Sequence, residues 1–161
     1  MKFIKPIALL ALAAVSVAPA ASANTAVNVH GGAFVSILQD PGHLPCYFYD
    51  GDGITYSTAQ AGCTSTGGGQ VIASVPRVPN DSTMTVYIDG THNFTATTYC
   101  SVDTWDWDGR YVATRSINTG SVNGTWEIST TLTTTEAPFW AYLDVRCTMA
   151  GASKLRGVIL N

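Results

Sequence analysis

Glutamate is almost missing from this chain: Glu127 and Glu136 are the two examples in 161 residues. A glycosidase needs two carboxyls facing one cleft, so aspartate would have to supply most of any such pair. Other catalytic signatures are missing too. There is no Gly-x-Ser-x-Gly elbow and no His-Glu-x-x-His helix, and His30, His43 and His92 are scattered, each reading most simply as a surface or turn residue. Basic residues are few, eight Lys and Arg against eleven Asp and Glu, and they do not cluster. Nucleic acid and anionic membrane surfaces need such clusters, so neither is an expected partner. Helical periodicity is nearly absent after the first two dozen residues.

What is there begins with MKFIKPIALLALAAVSVAPAASA, which carries two lysines, an apolar run from Ile7 to Val17, and Ala21 and Ala23 in an A-x-A arrangement. This is the pattern of an export signal cleaved before Asn24. A membrane anchor would need about 20 apolar residues, and Ala18 and Pro19 end the run early. No cysteine follows the cut, which argues against a lipid anchor. Cleavage removes 23 of 161 residues and leaves 138, residues 24–161. That is a single domain's worth of chain, long enough for a core without metal or partner. Lys2 and Lys5 leave with the signal, so six basic residues face eleven acidic ones, a net charge of −5. Such a charge serves solubility.

All four cysteines, Cys46, Cys63, Cys100 and Cys147, lie in the exported part. An even number in an oxidising compartment predicts two disulfides. Of three connectivities, Cys46 to Cys63 and Cys100 to Cys147 is preferred, since the last two sit in strongly patterned strands and the first two flank a short excursion. Each bridge contributes roughly 3–4 kcal/mol through chain entropy, more for the longer loop. Zinc is disfavoured, with no Cys-x-x-Cys pair and no close histidine. Pairing also consumes every thiol that could act as a nucleophile.

Abundant Thr, Val, Tyr and Trp, punctuated by Gly, Pro, Asn and Asp, predict short strands. They are expected at residues 27–38 (broken at Gly31-Gly32), 46–49, 54–57, 70–75, 83–89, 93–107, 111–117, 125–132, 139–149 and 154–160. In FWAYLDVRCTM, Phe139, Ala141, Leu143, Val145 and Cys147 alternate with Trp140, Tyr142, Asp144, Arg146 and Thr148. Alternation of this kind gives one apolar and one wet face, so the bridge at Cys147 is expected to be buried. About ten half-buried strands predict an all-β, antiparallel two-sheet β-sandwich, jelly-roll or Ig-like. A closed barrel is the competing arrangement.

Several motifs fail as sites. Asp50-Gly51-Asp52-Gly53 starts like an EF-hand, but its fifth and twelfth positions are Ile54 and Ala61, where oxygen ligands are required. Asp106-x-Asp108-Gly109 fails likewise at Ile117. Asp103, Asp106 and Asp108 remain as an irregular cation site that would need backbone carbonyls, and no metal or other cofactor is assigned. The Gly67–Gly69 run lacks the Lys-Ser or Lys-Thr of a phosphate loop. His30-Gly31-Gly32 faintly resembles an esterase oxyanion loop, but without the elbow it is weak evidence.

The stretch CSVDTWDWDG, residues 100–109, carries the strongest candidate. A two-residue turn at Asp108-Gly109 sets Trp107 opposite Arg110, Trp105 opposite Val112 and Asp103 opposite Thr114. With Cys100 pointing inward, Trp105 and Trp107 then point outward beside Arg110. Tryptophans on a sandwich surface can stack on sugar rings while Asp103 and Arg110 read hydroxyls. A bulge near Asp103 would instead flip the register and bury both indoles.

The strand ending Val75-Pro76-Arg77, the strands with Cys100 and with Tyr142-x-x-x-x-Cys147, and the closing SKLRGVILN together resemble a group of small, exported, cysteine-containing all-β proteins found chiefly in myxobacteria. The resemblance covers most of residues 46–161 as a pattern. In that group a cysteine precedes the proline matched by Pro76; here Val75 stands there and Cys63 is additional. The resemblance implies the all-β fold and assigns no catalytic residue.

The sequence thus predicts a secreted, non-enzymatic β-sandwich module that binds an extracellular glycan or surface polymer, or has a structural role in the envelope. A small secreted hydrolase is the first alternative. A protease inhibitor presenting Arg77 from the proline-stiffened VPRVPN loop is the second.

Overall fold

The computed structural model describes residues 27–36, 46–57, 63, 69–76 and 83–161. The export signal, His43, Gly67, Gly68 and residues 77–80, with Arg77 of the inhibitor alternative, lie outside the described residues. Among the described residues eleven strands form: β1 (Val27–His30), β2 (Val35–Ser36), β3 (Tyr47–Asp50), β4 (Gly53–Tyr56), β5 (Gly69–Pro76), β6 (Thr83–Ala96), β7 (Tyr99–Trp105), β8 (Tyr111–Asn118), β9 (Val122–Thr133), β10 (Tyr142–Met149) and β11 (Ser153–Leu160). A 3-10 turn at Gly31–Ala33 divides β1 from β2, at the predicted glycine break. Among the described residues no helix is long and apolar enough to cross a membrane.

The strands make two antiparallel sheets. The first runs β3-β4-β11-β6-β9, with β1 also on β11, and the second runs β2-β5-β10-β7-β8. From β4 to β11 the chain changes sheet at every connection except the β7–β8 hairpin. The orders β4-β11-β6-β9 and β5-β10-β7-β8 are those of a jelly roll, so the expected sandwich forms in its jelly-roll version.

Strict alternation fills the space between the sheets. On β10, Leu143, Val145, Cys147 and Met149 are buried, while Tyr142, Asp144, Arg146 and Thr148 face out. Met84, Val86 and Ile88 of β6 meet them from the other sheet's inner face as part of one core cluster. Each such side chain contributes about 1.5–3 kcal/mol through burial. Both predicted disulfides form, Cys46–Cys63 and Cys100–Cys147, and the second joins residues directly opposite each other on β7 and β10.

Three expectations are corrected. First, β10 starts at Tyr142, because Ala141 N–H donates to Pro138 O at 2.8 Å and closes a turn with Phe139 and Trp140 at its centre. Both rings are exposed, edge to face at 4.3 Å, so Phe139 is not on the buried face. Second, β6 continues through Gly90 to Ala96, and the strand expected at 93–107 is split at Thr97-Thr98. Gly90 lies opposite Trp126, and the indole occupies the space a Cβ would take. The large ring fills the gap left by the small residue, so the glycine does not end the strand.

Third, His92 is a buried corner residue, only 2% exposed, rather than a surface one. Its Nδ1 lies 3.1 Å from Val122 O and its Nε2 lies 2.9 Å from Thr98 Oγ1. A carbonyl can only accept, so Nδ1 carries the proton and Nε2 accepts from the Thr98 hydroxyl. Thr98 N–H donates to Thr119 Oγ1 at 3.1 Å and Thr119 N–H donates to Thr98 O at 3.1 Å. The β6–β7 and β8–β9 crossovers are thereby tied side by side.

Two predictions follow from this packing. Gly90→Ala drives a methyl into the Trp126 ring and the Lys154 carbonyl, and overpacking of this kind costs about 1–3 kcal/mol, measured by denaturant unfolding. Burial pushes the His92 pKa below its ordinary 6.5. The unfolded chain therefore takes up a proton that the folded one resists. His92's contribution is fully present above pH 6.5 and is lost as pH falls below it toward the lowered folded value. Melting temperature is expected to drop between about pH 7 and pH 5, and to drop less in His92→Gln.

Candidate binding face

The outward side of the second sheet gathers polar and aromatic residues in rows that cross the strands. Residues directly opposite in antiparallel strands share a face, and successive rows lie roughly 7 Å apart along each strand. Tyr142, Trp105 and Tyr111 form one row. Ser74, Asp144, Asp103 and Thr114 form the next, and Ile72, Arg146, Ser101 and Ser116 the third. Gln70, Thr148, Tyr99 and Asn118 complete the face.

The aromatic row ends at the β7–β8 turn, which differs from the expected one. Gly109 N–H donates to Asp106 O at 2.9 Å and Asp106 N–H donates to Arg110 O at 2.7 Å, so Trp107 and Asp108 occupy the centre. Gly109 follows at φ 81°, the left-handed position of a type I turn with a bulge. The Asp106 carboxylate accepts from Trp107 N–H and the Asp108 carboxylate from Arg110 N–H, which favours this turn over one centred on Asp108-Gly109. A second irregularity between Thr104 and Trp105 sets Trp105 opposite Tyr111, with Val112 as the extra residue. The two shifts cancel, and Asp103 faces Thr114 as predicted.

The predicted residues therefore separate. Trp105 is half-buried on the outer face, edge-on to Tyr111 with ring centroids 5.8 Å apart. Trp107 projects from the turn with 71% of its surface exposed. Arg110 pairs with Asp108 at 3.1 Å, a contact within the turn rather than on the sheet. Asp103 is nearly buried; it accepts from Thr114 Oγ1 at 2.6 Å and from Ser101 Oγ at 3.3 Å. Asp106 and Asp108 are engaged with turn amides, so the three aspartates do not converge.

Tyr142, 63% exposed, was not among the binding candidates read from the sequence, and neither were Tyr111, Asp144 and Arg146. Asp144 lies directly across from Asp103 and accepts from Ser74 Oγ at 2.7 Å. The face thus offers aromatic rings on one row and carboxylates held by hydroxyls on the next. Such a surface can stack an apolar ring face and accept from hydroxyl groups. The two histidines among the described residues lie elsewhere: His30 is exposed on β1 beside Gly51 O at 3.2 Å, and His92 is bonded within the corner.

No protein-family model matches the chain, and no curated protein matches it. Among solved structures, the enzymatically active domain of tailspike protein 4 from bacteriophage CBA120 is similar over 86% of this chain at 14% identity and a TM-score of 0.47. The match covers 19% of that protein, so this chain spans about a fifth of its length.

The different exposures of the indoles are measurable. Trp107→Phe is expected to remove the largest share of the iodide-quenchable tryptophan emission, Trp140→Phe a smaller share, and Trp126→Phe almost none, since Trp126 is 6% exposed.

Proposed function

We propose that this protein is an exported, non-enzymatic module that binds an extracellular glycan across the outer face of its second sheet. The observation that carries the reading is the row of Tyr142, Trp105 and Tyr111 lying against the row of Asp144 and Asp103. Sugar rings have an apolar face and a hydroxyl rim, and the two rows match those two surfaces. Trp107 extends the aromatic surface beyond the sheet, and Arg110 stands at its rim. Two disulfides suit an oxidising compartment, which supports export through the N-terminal signal.

The opposed carboxylates of Asp103 and Asp144 give the hydrolase alternative its best footing. A glycosidase places two such groups on either side of one bond in a cleft, one of them free to protonate the leaving oxygen. Here both project from the same side of a sheet between exposed tyrosines, and each is already held by a hydroxyl. That arrangement supports recognition over bond cleavage.

The test is affinity measurement against plant, algal and bacterial cell-wall polysaccharides. Trp105→Ala and Tyr142→Ala are each expected to weaken binding about tenfold, or about 1.4 kcal/mol, while the core substitution Trp126→Phe leaves it unchanged. Folded protein that binds nothing across the panel would sink the proposal. Reducing ends released by the wild type and abolished in Asp144→Asn would favour the hydrolase.

A further inference from the structure

The same face continues past the carboxylates into a recess of about 370 Å³, lined by Gln70, Tyr99, Ser101, Ser116, Asn118, Arg146 and Thr148 together with Cys100 and Ile117. Its lining contains hydroxyls, amides and one guanidinium, and no carboxylate. The guanidinium is poorly engaged. Arg146 Nε is enclosed without a hydrogen-bond partner, and the ion pair the structure records for this side chain is a long 3.9 Å contact with Asp103. Asp103 already accepts from Thr114 and Ser101 and does not depend on that contact. By contrast, Arg110 holds Asp108 at 3.1 Å, Lys154 holds Asp50 at 2.8 Å, and Arg115 is in close contact with Glu136.

The remaining groups complement that charge. Asn118 Oδ1 accepts from Gly120 N–H at 2.9 Å, which leaves the Asn118 amide NH2 as its unengaged end. Tyr99, 59% exposed, provides an aromatic wall. A concavity that has donors, a part-exposed guanidinium whose ion pair is long, and an aromatic side fits an oxyanion carried on a ring. The planar guanidinium favours a planar carboxylate, which it can meet through two parallel hydrogen bonds. Tyr99 stands six residues from Trp105 on β7, roughly 20 Å away, so a single short oligosaccharide can reach both.

We infer that the glycan taken by this face is acidic, a uronic-acid oligosaccharide whose carboxylate binds Arg146 in this recess. The inference rests on the glycan-binding reading and adds the class of sugar and a second point of attachment.

Matched pairs of probes test it: oligogalacturonate against its methyl ester, and oxidised cello-oligosaccharide carrying glucuronate against the unoxidised form. The acidic member of at least one pair is expected to bind about tenfold tighter than its neutral partner, and the preference should shrink as salt is raised. Arg146→Gln is expected to bring the acidic member's affinity down to that of its neutral partner. Ser116→Asp, on an exposed strand, places a carboxylate on the recess wall and should erase the preference too, which guards against misfolding of the Arg146 variant. Equal binding of acidic and neutral members, unchanged in both variants, overturns the inference while the aromatic platform stands. Binding to none of the probes or polysaccharides overturns both.

Discussion

The pairing of β7 with β10 is the constraint on which the rest of the molecule depends. Cys100 and Cys147 lie opposite each other across it, and the bridge spans 47 residues of sequence, a loop whose closure is worth about 4 kcal/mol in the unfolded chain. On the inner side of the same two strands, Val102 meets Val145 and Thr104 meets Leu143 in the core. On the outer side, Trp105 meets Tyr142, Asp103 meets Asp144, and Ser101 meets Arg146. A slip of one residue would reverse every one of these assignments. The core and the candidate binding face are therefore two results of one register.

Much of this was legible because it depends on local period. Alternation in FWAYLDVRCTM places Leu143, Val145 and Cys147 inside whatever the partner strand is, and the cysteine count and spacing lead to the correct bridges. Once Cys100 is paired with Cys147 in antiparallel strands, counting back five residues from Cys147 and forward five from Cys100 sets Tyr142 beside Trp105. That step is available from sequence, and it adds Tyr142, which lies outside the stretch 100–109, to the candidate Trp105 within it.

What was not legible depends on neighbours distant in sequence. Gly90 looks like a stop until Trp126 is known to lie across from it. Phe139 fits the alternation, but Pro138 accepts the Ala141 N–H and turns the chain before the strand begins. At residues 106–109 the Asp-Gly pair suggests a two-residue turn, while side-chain bonds from Asp106 and Asp108 favour a longer one. The bulge beside Trp105 then restores the register, so an incorrect turn still led to the correct partner for Asp103. Agreement at Asp103 and Thr114 is thus compatible with a wrong account of the residues between them.

The two ends of the face are held differently, and this bears on what each can do. The aromatic end finishes in an exposed turn, where Trp107 and the Arg110–Asp108 pair are surrounded by solvent. Surface ion pairs of this kind contribute at most about 1 kcal/mol, so that end can adjust to the shape of a ring. The recess end adjoins the buried corner: Tyr99 follows Thr98, Asn118 precedes Thr119, and those threonines exchange two hydrogen bonds beneath His92. Tyr99 and Asn118 are themselves partners in the ladder. The positions of the recess walls are consequently set by a bonded crossover. A fixed frame suits recognition of a charged group, whose hydrogen bonds depend on direction, whereas stacking at the other end tolerates small shifts of the ring.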